Sequence, residues 1–147
     1  MLALAEILPD MELTVVTNAH DCIGPIMSKS KINLIATGGK LDRFSHSYGG
    51  FMTWTMVKKF SVDKAFFSCN GVDLERGASE AAEIQAEFKE NVLPLCAERI
   101  LLCDASKLGV RSTRFFAGMD IIDRVITDSG ADASFIEKLE AAGVQVN

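Results

Sequence analysis

Short apolar runs without in/out alternation, separated by helix-type segments, constrain this chain more than any other feature. "ELTVVT" (Glu12–Thr17), "INLIAT" (Ile32–Thr37), "KAFFS" (Lys64–Ser68), "RILLCD" (Arg99–Asp104) and "RVITD" (Arg124–Asp128) have the composition of β-strands covered on both faces. Helical patterns fall between them, near Leu2–Leu8, Ala19–Met27, Gly50–Phe60, Ser79–Ala97 and Ala133–Ala142. Such alternation predicts an α/β fold, an open, mostly parallel sheet flanked by helices. In the longest helical segment Ile84, Phe88, Val92 and Leu95 are expected to form the apolar stripe. Ser79 is expected to cap its start, Glu80 and Glu83 to suit its positive end, and Pro94 to stop it. Gly143 reads as the residue that ends the last helix before a short final strand.

The length, 147 residues, suits one domain with a single core spanning 1–147. A net charge of -5 and the lack of a long basic run argue against a DNA-binding surface in these residues. No apolar run approaches the roughly 20 residues that cross a bilayer, and "MLALAEILPDME" lacks a basic start and is broken by Glu6. Cys22, Cys69, Cys96 and Cys103 are far apart in sequence and form no C-x-x-C pair, which fits buried thiols in a reducing, cytoplasmic setting. With only His20 and His46 available, no metal site is expected, and no cofactor motif is present.

In a sheet of this kind ligands bind beyond the carboxyl ends of the strands. The residues expected on that rim are Thr17 and Asn18, Gly38 and Gly39, Asn70 and Gly71, and the cluster Asp104, Ser106 and Lys107. Hydroxyls, amides, glycines and an ammonium together suit an anionic, hydroxylated small molecule. Each has a plainer reading as well. Gly38–Gly39 makes a tight turn, Asn18 caps a helix, Asn70–Gly71 turns the chain, and Asp104 caps a loop with Lys107 in solvent. Lys89, among glutamates, reads by periodicity as part of a solvated charge mixture; leaning to the rim, it would be a second cation for a phosphate. A Ser/His/Asp triad has no support, since no G-x-S-x-G elbow occurs.

Taken in order, "LTVVTNAHD", "ATGGKLDR", "YGGF", "VDKAFFSCNGVD", "EAAEIQAEFKENVL", "ILLCDASKLG" and "DIIDRVITDSG" resemble the C-terminal sensor domain of DeoR-family bacterial transcriptional repressors. The resemblance covers nearly the whole chain. It implies a fold related to ribose-5-phosphate isomerase A and the CoA transferases, and binding of a phosphorylated sugar or related metabolite that changes the repressor's grip on DNA. It further implies an N-terminal winged helix-turn-helix and a phosphate-binding loop ahead of the first helix. Met1–Leu8 corresponds to the helix that such a loop enters, so the chain is expected to be a truncated effector domain. Its contact with DNA would run only through that missing part, and pairing into a homo-oligomer is implied as well.

The sequence also looks like the isomerase at Asn70-Gly71-Val72-Asp73 and at Asp104-Ala105-Ser106-Lys107. The departures bear on chemistry. Asn70 stands where the isomerase has Asp, Leu74 where it has Glu, and the Lys-Gly-Gly-Gly stretch is absent. Sugar isomerisation needs a carboxylate to shuttle a proton between carbons. A non-catalytic sensor is therefore expected. The alternative, a sugar-phosphate isomerase or CoA-transferase-like enzyme, would require Asp73 or Asp104 to stand in as the base.

Overall fold

The computed structural model describes all residues, 1–147. The chain divides into two compact units, Met1–Phe60 and Ser61–Asn147.

In the first unit, strands β1 (Leu13–Thr17) and β2 (Ile32–Ala36) pair in parallel with Thr17 opposite Ala36. Helix α1 (Leu2–Ile7) precedes β1, and α2 (His20–Met27) connects β1 to β2. Ala5, Cys22, Ile26 and Ile32 form the buried centre, against which Val15 and Leu34 pack. A hairpin follows, β3 (Lys40–Asp42) with β4 (Ser47–Gly49), and then helix α3 (Phe51–Val57). Asp42 closes the hairpin turn by accepting from the Ser45 amide and hydroxyl, at 2.9 and 2.5 Å.

The second unit is built on a parallel sheet in the order β11–β10–β8–β5. Its strands are β5 (Val62–Phe67), β8 (Cys96–Leu102), β10 (Arg124–Ile126) and β11 (Gln145–Val146). The apolar runs that suggested strands supply part of its core through Phe67, Leu101 and Val125, joined there by Leu139 and Val144. All five are buried. A separate antiparallel sheet joins β6 (Gly71–Asp73), β7 (Gly77–Glu80) and β9 (Arg114–Ala117). Helices α4 (Glu83–Val92) and α5 (Ala133–Ala141) complete the unit. Asp132 caps α5 by accepting from the Phe135 amide at 3.0 Å, and Gly143 turns the chain after it at φ 91°. No helix is long and apolar enough to cross a membrane.

The start of α4 differs from expectation. Its cap is Ala82, and Ser79 and Glu80 instead lie buried in β7. The buried stripe of α4 is Ala86, Lys89 and Val92, while Ile84 and Phe88 are only half-buried and Leu95 is exposed. Pro94 ends the helix as expected, inside a 3-10 turn at Leu93–Leu95.

The turn between β6 and β7 depends on Gly77. It sits at φ 87°, and a Cβ there would collide with the carbonyl of Ala117 in β9. Left-handed strain and overpacking together should make Gly77→Ala about 2–4 kcal/mol less stable in urea denaturation. Gly24→Ala, in α2 with open space around it, should be neutral or stabilise by up to about 1 kcal/mol in the same assay.

Candidate functional site

In the first unit the residues singled out from sequence lie after β1 and β2. Asn18 does not cap α2, whose cap is Ala19. The Asn18 side chain instead donates to the carbonyl of Tyr48 at 2.9 Å, and its own carbonyl accepts from the Tyr48 amide at 2.7 Å, fastening β4 to the end of β1. Thr17 Oγ1 accepts from the Ala19 amide at 3.1 Å. Gly38 and Gly39 both adopt positive φ, 62° and 111°. The Thr53 hydroxyl donates to the Gly38 carbonyl at 3.0 Å and occupies the space that a Cβ on Gly39 would need. The pair of glycines thus has a complete local explanation in the fit of α3 against this turn.

In the second unit the other residues gather where β5 and β8 end. Gly71 opens β6, and a Cβ on it would strike the carbonyl of Val110. Val72 bridges Leu108 in parallel, and the Gly109 amide donates to the Val72 carbonyl at 2.8 Å. The residues just before that bridge, Gly71 and Lys107, are thereby set side by side. Asn70 is exposed; its Oδ1 accepts from the Ala81 amide at 2.9 Å. Beyond β8, Asp104 caps a 3-10 turn (Ala105–Lys107) by accepting from the Ser106 amide at 3.0 Å and from the Ser106 hydroxyl. Asp128 holds the same turn from the end of β10, accepting from the Ala105 amide at 3.0 Å.

Two further groups shape this region electrostatically. Lys89 is buried; its ammonium donates to the Ser68 carbonyl at 2.7 Å and pairs with the Glu80 carboxylate. Burial pushes the Lys89 pKa down, and Glu80 opposes that shift. The spacing of charges in α4 could not reveal this inward turn, because Glu80 lies on a strand that periodicity did not register. Asp73 accepts from the Arg111 guanidinium at 2.6 Å and from the amides of Glu75 and Arg76, at 3.1 and 2.9 Å. The Arg111 contact in particular holds the Asp73 carboxyl below the usual carboxylate range. The Ser106 hydroxyl does the same for Asp104.

Lys107 differs from most cations of this unit, Arg76, which lies over the Phe115 ring, and Lys138 of α5 being the others without an ion pair. Lys64, Lys89, Arg99, Arg111, Arg114 and Arg124 are each paired with a carboxylate. The half-exposed Lys107 has no ion pair and no side-chain hydrogen bond. An ammonium without a partner, beside an exposed amide and a hydroxyl at the carboxyl ends of parallel strands, can receive an anion.

A family model described as the DeoR C terminal sensor domain matches residues 1–129. The uncharacterized HTH-type transcriptional regulator YulB of Bacillus subtilis is 37% identical over 143 residues, which is 97% of this chain and 55% of that protein. The L-fucose operon activator of Escherichia coli is 30% identical over 125 residues, 85% of this chain and 51% of that protein. The HTH-type transcriptional regulator GlpR of Haloferax volcanii is 36% identical over 110 residues, 75% of this chain and 43% of that protein. The chain spans about half the length of the curated relatives it matches.

Removing one member of a buried ion pair leaves an uncompensated charge. Glu80→Gln should therefore lower stability by about 3–5 kcal/mol, and the double change Glu80→Gln with Lys89→Met should recover most of that loss. Chemical denaturation of the three forms checks both. For Asp73, Arg111→Ala should raise the carboxyl's titration toward the ordinary value, followed by its side-chain NMR signal. In the parent the stability tied to the Asp73 contacts is complete above the ordinary carboxylate pKa of about 3.9 and is lost as pH falls through the lower folded value.

Proposed function

The chain belongs to the DeoR C-terminal sensor domain family, and on that premise we propose that it senses a phosphorylated sugar or related anionic metabolite for a transcriptional regulator. The observation that carries this reading is the unpaired ammonium of Lys107. Residues 61–147 hold fifteen acidic side chains against nine basic ones, so a cation left without an ion pair at the strand ends is a place where an incoming anion meets attraction in an otherwise acidic unit. Lys107 balances the phosphate or acid group. Asn70 and Ser106 meet hydroxyls, and Gly71 keeps the strand close enough for the loop after β8 to pack against it. Lys89 acts from behind, holding the carbonyl of Ser68 and the carboxylate of Glu80, and so fixes where the Asn70–Gly71 segment begins. Ligand alters regulation by preferring one of two arrangements of the full regulator, in a homo-oligomer whose DNA contacts lie in another part of the protein.

Binding without turnover is favoured by the state of the two carboxylates that an enzyme would need. Both Asp73 and Asp104 are held on the ionised side by donors, far from the near-neutral pKa that suits a general base. Asp73 also already accepts from Arg111 and two amides, which take three of its roughly four acceptor positions.

Calorimetry of the intact regulator with triose, pentose and hexose phosphates provides the test. Lys107→Ala should weaken binding of whichever sugar phosphate is held by about tenfold to a hundredfold, the worth of a charge-assisted hydrogen bond. Equal affinity in parent and variant would overturn the assignment. In a coupled isomerase assay the same protein should show no turnover above background with pentose phosphates; measurable turnover would restore the enzyme reading.

A further inference from the structure

We propose that Cys69 and Cys103 form a redox-sensitive pair that closes into an intrachain disulfide between the ends of β5 and β8. The strand register sets this geometry. The register ends with Phe67 in β5 opposite Leu101 in β8; continued two residues on, along the same face, it brings Cys69 to Cys103, and the two thiols are in hydrogen-bond contact. Neighbouring strands run about 4.8 Å apart. That spacing falls within the roughly 4.4–6.8 Å between Cα atoms that a disulfide accepts. The remaining cysteines stand elsewhere: Cys96 begins β8, and Cys22 belongs to α2 in the other unit.

The two thiols are not equivalent. Cys69 is buried, whereas Cys103 is half-buried beside Asp104 and the 3-10 turn. The thiols interact directly, and the Cys69 hydrogen favours a thiolate on Cys103 while its own pKa is pushed up. Cys103 is therefore the sulfur that meets an oxidant first.

Hydrogen peroxide is an oxidant of suitable size. The Cys103 thiolate attacks one peroxide oxygen; an S–O bond forms, the O–O bond breaks, and hydroxide leaves to become water. Cys103 is then a sulfenic acid. The Cys69 sulfur attacks the Cys103 sulfur, the S–O bond breaks, and the departing hydroxide takes up the Cys69 proton as a second water. Two thiols and one peroxide become one disulfide and two waters, with two electrons passing from sulfur to oxygen. A dithiol reductant reverses the step by exchange. The bond would tie together the points from which Asn70–Gly71 and Asp104–Lys107 leave the sheet, so it would restrain both loops at once.

Peptide mapping tests this. Cleavage after Lys64, Arg76, Arg99 and Lys107 places Cys69 and Cys103 on separate tryptic peptides. After mild peroxide treatment those two peptides should be recovered joined, with the loss of two hydrogens, and dithiothreitol should release them. The joined species should vanish in Cys69→Ala and in Cys103→Ala and persist in Cys22→Ala and Cys96→Ala. If Cys69→Ala disturbs the core, Cys103→Ser, at the more exposed position, serves as the control. Failure to find the joined peptides while Cys103 advances to sulfinic acid would overturn the proposal. So would a link from either cysteine to Cys22 or Cys96 instead.

Discussion

The parallel pairing of β5 with β8 is the constraint on which the second unit depends. Phe67 opposite Leu101 sets two buried side chains at the centre of the core. It also decides that the two strands end level with each other, so the segments after Phe67 and after Leu102 start as neighbours. Everything of chemical interest in that unit is attached to those two exits. Ser68 presents its carbonyl to Lys89, the Cys69 thiol meets that of Cys103, and Gly71 and Lys107 flank the Val72–Leu108 bridge. A register slip of one residue would turn each of these side chains to the other face of the sheet.

Charge in this unit is organised around that frame. Desolvating Lys89 is costly, and it persists because Glu80 and the Ser68 carbonyl receive its protons. The consequence is positional: a buried pair of this kind locks α4, β7 and the end of β5 into one arrangement. Arg111 does similar work at the surface, tying Asp73 and the segment that carries Val110. With these cations committed, Lys107 differs from them in making no ion pair, though the charge of Asp104 lies near enough to act on it.

The central strands were legible in the sequence because apolar runs covered on both faces lack alternation. β1, β2, β5, β8 and β10 all fall within a few residues of the expected positions. The three-residue strands β3, β4 and β6 were not legible, since three residues carry too little periodicity to separate a strand from a turn. That omission propagated. Without β7, Ser79 and Glu80 looked like the start of a helix, and without Glu80 on a strand, Lys89 looked solvated. The buried charge could be recognised only once its partner had a place. For the candidate site, the polar residues at the strand ends were identifiable from composition, and the plain structural duties of Gly39 and Asn18 were foreseen only in part. Turn geometry for the glycines was legible, whereas the hydrogen bonds from Asn18 to Tyr48 required a hairpin that the pattern did not reveal.

Binding and catalysis make opposite demands on a carboxylate at such a site. A general base must hold its proton loosely near neutral pH and keep a lone pair free in the direction of the substrate. Asp73 and Asp104 have been given to other tasks, one closing the β6–β7 region with Arg111 and the other ordering the turn that presents Lys107. The same hydrogen bonds that remove them from proton transfer make the loops rigid enough to present a cation at a fixed place. A fold that spends these acids on structure and leaves the Lys107 ammonium without an ion pair at the strand ends is suited to recognising a negative ligand and releasing it unchanged.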